Sequence, residues 1–187
     1  MKIGEIQRVY RDQIQYLREK KQSLVQRRED LQKQQHLAAS DEERSRFSEE
    51  AATLELSIKE IGAQYDENME FMGRVLETKT AYFNAEVSKQ QSEALTKAAK
   101  DMAKIMEVAR RIAKGGLVPY SDEKKLMDYS MELYMSSKNM ALLNEQKEKE
   151  EYASLWEDEE ELPEHDPQGV SENASFSGEL PDLITDF

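Results

Sequence analysis

Cysteine is absent from this 187-residue sequence, which removes disulfides and thiolate chemistry at once. Histidine occurs only as His36 and His165. Neither stands in the Glu-x-x-His spacing of a di-iron bundle, so no metal site and no cofactor are expected. Between Glu5 and Lys114 there is no proline, and only Gly62 and Gly73 weaken a helical run. Runs of about eighteen consecutive apolar residues are also missing, as is the apolar core of a signal peptide in Met1–Arg8. A soluble, cytoplasmic chain with no membrane segment is the expectation. Aromatic residues make up 7% against 35% charged, a balance that favours long exposed helices over a thick globule.

The net charge of −13 is unevenly placed. Eleven of the 39 acids fall between Leu155 and Phe187, a stretch without lysine or arginine, so the residues before it are close to neutral. Residues 1–38 are the basic part, with nine bases against five acids. Composition therefore divides the chain into a helical body, 1–154, and an acidic tail, 155–187.

What is present in the body is helical periodicity. Ile3, Tyr10, Leu17, Leu24 and Leu31 lie on an unbroken seven-residue repeat. The companion row is poor: Ile6 and Ile14 lie near it, whereas Gln13, Lys20, Arg27 and Gln34 do not suit it. Ser40-Asp41-Glu42-Glu43 is a capping-box pattern, placing one turn near 39–40. From there Phe47, Ala51, Leu54, Ile58, Ile61, Tyr65, Asn68, Met72, Val75 and Lys79 step by four and three, a seam in which Asn68 is the one polar residue before Lys79. Gly73 is the expected place of a bend. Either the segment from 41 to 113 is one spine of about 110 Å, at 1.5 Å per residue, with a partner helix along each half, or it folds back near Gly73 into a four-helix bundle. The two flanking helices together match the middle segment in length, which favours the spine.

A second corner runs through Lys114-Gly115-Gly116-Leu117-Val118-Pro119-Tyr120-Ser121. Arg110, Arg111 and Lys114 suit the negative end of a helix, one of the glycines can take the left-handed conformation, and Pro119 prevents continuation. Ser121 reads as the N-cap of the next helix, expected to run on for roughly 32 residues. In that helix Leu126, Tyr129, Leu133, Met140 and Leu143 form one face, while Met127, Met131, Met135 and Leu142 lie roughly opposite. Methionine fills irregular cores, but it also suits adaptable interfaces. The second face needs a cover: more of this chain, a second copy or a partner.

Beyond about Trp156, prolines, glycines, serines and acids predict disorder. Deleting residues 157–187 is then expected to leave helicity and melting nearly unchanged. At the end, Leu180, Leu183, Ile184 and Phe187 have the spacing of a short amphipathic docking segment.

Catalytic motifs are weak. Ser121-Asp122-Glu123-Lys124 fits Ser-x-x-Lys but lacks the companion motifs of acyl-transfer enzymes, and capping accounts for the serine. Gly115-Gly116 is no phosphate loop, and Asn173-Ala174-Ser175 is a sequon without meaning unless the chain is secreted. The fold class expected is all-α, built of long antiparallel helical hairpins or coiled coil in about four helical segments with a disordered acidic tail. The function expected is that of a non-enzymatic scaffold or adaptor acting through protein–protein contact, as a homodimer or other homo-oligomer with protein partners not identified by the sequence. The alternative is a nucleic-acid-associated coiled-coil protein using the basic first helix. Acids interleaved with those bases make nucleic acid the weaker partner.

Overall fold

The computed structural model describes residues 1–143, 149–158 and 161–184. Among them five helices form: α1 (Ile3–Leu37), α2 (Asp41–Ala113), α3 (Tyr120–Tyr129), α4 (Met131–Leu142) and α5 (Pro167–Asn173). The protein is all-α, with only two isolated bridges outside the helices among the described residues. No described helix is long and apolar enough to cross a membrane. Two compact units result, Met1–Glu86 with Asp166–Phe187, and Val87–His165. The compositional boundary at 154/155 coincides with neither limit.

In the first unit the two heptad rows meet. Ser40 caps α2, its hydroxyl accepting from the Glu43 N–H at 3.2 Å. Along α1, Gln7, Gln13 and Arg27 meet Lys79, Asn68 and Glu50 respectively, so α1 runs antiparallel to the first half of α2. Ile3, Ile6, Tyr10, Phe71 and Val75 form a core cluster, each at 1% exposure or less. Each such side chain contributes about 1.5–3 kcal/mol when taken out of water. Seam residues nearer the turn, Leu24, Phe47, Leu54 and Ile58, are only half-buried, although Leu31 is buried. α2 passes through Gly73 as one continuous helix, so the chain does not fold back there. The helical hydrogen-bond ladder on either side carries the glycine's modest cost, about 1 kcal/mol against alanine.

Residues 166–184 are not the free tail that their composition suggests. Asp166 caps α5 through the Gly169 N–H at 2.9 Å, with Pro167 in the first turn. The chain beyond α5 then lies against the start of α1. Ile3 N–H donates to the Ala174 carbonyl at 3.0 Å, Phe176 N–H donates to the Met1 carbonyl at 3.2 Å, and Lys2 pairs antiparallel with Ser175. Such bonds satisfy N-terminal donors that a helix cannot satisfy itself. Phe176 sets its ring edge-on to Phe71 at 5.5 Å between centroids, and Phe71 in turn meets Tyr10 at 4.6 Å. Glu172 pairs with Lys79 at 3.1 Å. A short stretch with one aromatic ring and a run of backbone bonds can therefore dock although it is too polar to form a core by itself. The expectation of a disordered tail is corrected for residues 166–176.

In the second unit α2 ends at Ala113 as anticipated. Gly115 takes φ 89°, its N–H donates to the Ile112 carbonyl at 2.8 Å, and the Gly116 N–H donates to the Arg111 carbonyl at 3.0 Å. This is the paired closure of a Schellman motif. Gly116 is needed for a different reason: a Cβ there would lie 2.5 Å from Tyr152 Cε2. Ser121 is not the N-cap. α3 begins at Tyr120 with Pro119 in the N-cap place, the Asp122 and Glu123 N–H groups donating to the Pro119 carbonyl, while the Ser121 hydroxyl donates to the Asp122 carboxylate. The expected long helix is also broken. Ser130 is extended (φ −160°, ψ 106°); it ends α3 by donating to the Leu126 carbonyl and starts α4 by accepting from the Leu133 N–H. Serine competes for backbone groups in this way and so favours a cap over a helix interior. Val108, Ala109, Ile112 and Leu126 form this unit's core, with Leu133, Tyr134, Leu155 and Trp156 packed against it.

Two substitutions test these contacts. Gly115→Ala places a Cβ in the left-handed region and is expected to destabilise the protein by roughly 1–2 kcal/mol. Gly115→Asn, which tolerates that region, should recover part of the loss in thermal unfolding; equal stability of all three proteins would contradict the closure described. Phe176→Ala should cost about 1–3 kcal/mol, less than the ~3–5 kcal/mol of a fully buried phenylalanine. An unchanged melting temperature would show that Phe176 does not pack on Phe71.

Candidate functional site

The methionine face is split by the Ser130 break. Met127 lies on α3 and is half-buried, while Met131 and Met135 on α4 are 55% and 53% exposed and Leu142 is 63% exposed. Steps of four and seven residues keep Met131, Met135 and Leu142 within one narrow stripe of α4. The opposite side of α4 carries Leu133, Tyr134 and Ser137, which face the core or are buried. Glu123 fixes this arrangement by accepting from the Tyr134 hydroxyl at 3.1 Å and the Lys138 ammonium at 2.8 Å. Tyr129, Met140 and Leu143, expected on the packed face with Leu126 and Leu133, are exposed instead.

Asp122 was legible only as a first-turn acid, yet it is 1% exposed. Its carboxylate accepts from the Ser154 hydroxyl at 2.6 Å and the Leu155 N–H at 2.9 Å. That pins Trp156 beside it, where the indole donates to Asp101 at 3.2 Å and lies 4.1 Å from the Lys125 ammonium. Nearby, Leu117 exchanges backbone bonds with Glu150 and Tyr152 at 2.8 and 2.9 Å. At the end of α2, Glu107 bridges Arg110 and Arg111. The hydrogen-bonded Arg110 guanidinium does most to hold the Glu107 carboxyl down at about 2; burial opposes this and Arg111 adds to it. His165 stands 2.9 Å from Glu93, and no group of three or more acids and histidines suited to a metal occurs among the described residues.

In the tail, Leu180 and Leu183 are 42% and 46% exposed and Ile184 is half-buried. Phe187 lies outside the described residues. Residues 177–184 do not form the amphipathic turn their spacing suggests; Gly178 and Pro181 disfavour it, and the backbone bonds elsewhere. The Tyr10 hydroxyl donates to the Pro181 carbonyl, and Gln13 bonds to the main chain of Asp182 and Ile184. Burial first, and then the nearby Asp182 carboxylate, hold the Tyr10 phenol above its ordinary pKa. Gln13, whose polarity does not suit a seam, is 1% exposed and faces Asn68. The sequence signal for the pair was present: Gln13 sits three residues beyond Tyr10, and Asn68 three before Phe71, the same spacing on each helix.

Bases on α1 are partly committed to neighbours: Arg27 to Glu50 at 2.7 Å and Lys33 to Asp30 at 3.0 Å. In comparisons with known proteins, the chain matches no family model, no curated protein and no solved structure.

Proposed function

We propose that this chain is a non-enzymatic helical adaptor that works through protein–protein contact, and that the Met131, Met135 and Leu142 stripe of α4 is its contact surface. The observation that supports this is the exposure of three large flexible apolar side chains, each above one half, on a helix that packs Leu133, Tyr134 and Ser137 on another side. Contiguous exposed apolar surface marks contact sites, and methionine side chains re-pack to fit a partner. A second copy is the proposed occupant, because a stripe on one helix is self-complementary about a two-fold axis. The competing reading, nucleic-acid association along α1, is weakened by the ion pairs of Arg27 and Lys33 and by the exposed acids Asp12, Glu19 and Glu29 among the bases.

Sedimentation at micromolar concentration should give the mass of a dimer. In Met131→Glu/Met135→Glu, two like charges meet across the axis and association should weaken at least about a hundredfold, while helicity by circular dichroism is unchanged. A wild-type monomer throughout that range, or a variant that stays dimeric, would remove the proposal.

A further inference from the structure

Gln13 occupies a seam position where packed helices ordinarily set an apolar side chain, and its amide is out of reach of bulk water. A buried amide is tolerated when its donors and its acceptor are all used. Asn68 meets only part of that need: Gln13 Nε2 donates to Asn68 Oδ1 at 3.1 Å, and the Asn68 amide nitrogen turns away to donate to the Gln64 carbonyl at 2.7 Å. Main chain meets the rest. Nε2 also donates to the Asp182 carbonyl at 3.1 Å, and Oε1 accepts from the Ile184 N–H at 3.2 Å.

Those two backbone groups flank Leu183, which is the pairing that one residue of a neighbouring parallel strand makes with an extended chain. One side-chain amide thus treats residues 182–184 as a sheet edge, the backbone recognition used when peptides add to a strand. Tyr10 extends it by donating to the Pro181 carbonyl. Proline is acceptable at that place because only its carbonyl is engaged, whereas position 184 must supply an N–H. None of these bonds uses a side chain of the held segment.

We propose that Tyr10, Gln13 and Asn68 form a binding site for a linear peptide in extended conformation, and that the chain's own Pro181–Ile184 occupies it in cis. The ligand class is a short peptide of the pattern Leu-Pro-Asp-Leu-Ile, read through its backbone. The tether between Phe176 and Pro181 is only a few residues, so the cis segment is present at an effective concentration on the order of millimolar and excludes weaker ligands. The site lies in the unit formed by Met1–Glu86 and Asp166–Phe187 and does not depend on the methionine stripe of α4.

The test uses the full chain. Ile184→Pro deletes the one N–H that Gln13 Oε1 accepts and should release the segment. A fluorescently labelled synthetic peptide of residues 176–187 should then bind this variant saturably, at least about tenfold more tightly than it binds the wild-type protein. Adding Gln13→Leu should abolish that gain. An otherwise identical peptide N-methylated at Ile184 should also fail to bind Ile184→Pro, a control that leaves the protein untouched. Equal binding by wild type and Ile184→Pro, full binding of the N-methylated peptide, or no saturation up to about 1 mM, the scale of the cis competitor, would each overturn the proposal.

Discussion

Two helices that share one stripe can exclude water from the line between them, but each seam side chain still has an open flank. In the first unit, Ile3, Ile6, Phe71 and Val75 have no exposure at all, whereas Leu24, Leu54 and Ile58 of the same hairpin remain half-buried. The difference falls where Ala174 and Phe176 pack against the cluster. Closure of that flank by a third piece of chain is the constraint on which the rest of the unit depends. It supplies partners for the first N–H of α1, gives Lys79 a carboxylate, and brings residues 181–184 within reach of Tyr10 and Gln13.

The second unit solves the same problem with a different segment. Here Asp122, a buried carboxylate, gathers the Ser154 hydroxyl and the Leu155 N–H, so that Leu155 and Trp156 come to rest against Leu126 and the end of α2. Charge-assisted bonds to a backbone N–H are strong enough to hold an acidic, otherwise core-poor segment in place. The outer stripe of α4, Met131, Met135 and Leu142, stays exposed, and it is the basis for the adaptor proposed above.

Much of the helical layout was legible because it rests on local rules. The heptads of α1 and α2, the Ser40 cap, the Gly115 closure and the place of Asn68 in the seam all follow from periodicity and capping. Other features rest on tertiary pairing, to which periodicity is blind. Gln13 looked misplaced until Asn68 and the main chain of residues 182–184 stood opposite it. Phe176 and Ala174 are too few to register as a core by composition, although they complete one. Ser130 carried a capping signal that the apolar spacing around it masked. Of the candidate contact residues, Met131, Met135 and Leu142 stand together as spaced, whereas Met127 does not join them.

The central claim is that residues 173–176 are part of the folded first unit and close the flank of its core. Amide hydrogen exchange of the intact chain tests it at two positions, Ile3, whose N–H donates to Ala174, and Phe176, whose N–H donates to Met1. Both amides should exchange at least about a hundredfold more slowly than in an unstructured chain. Exchange of both at the unstructured rate, with the interior of α1 still protected, would contradict the account.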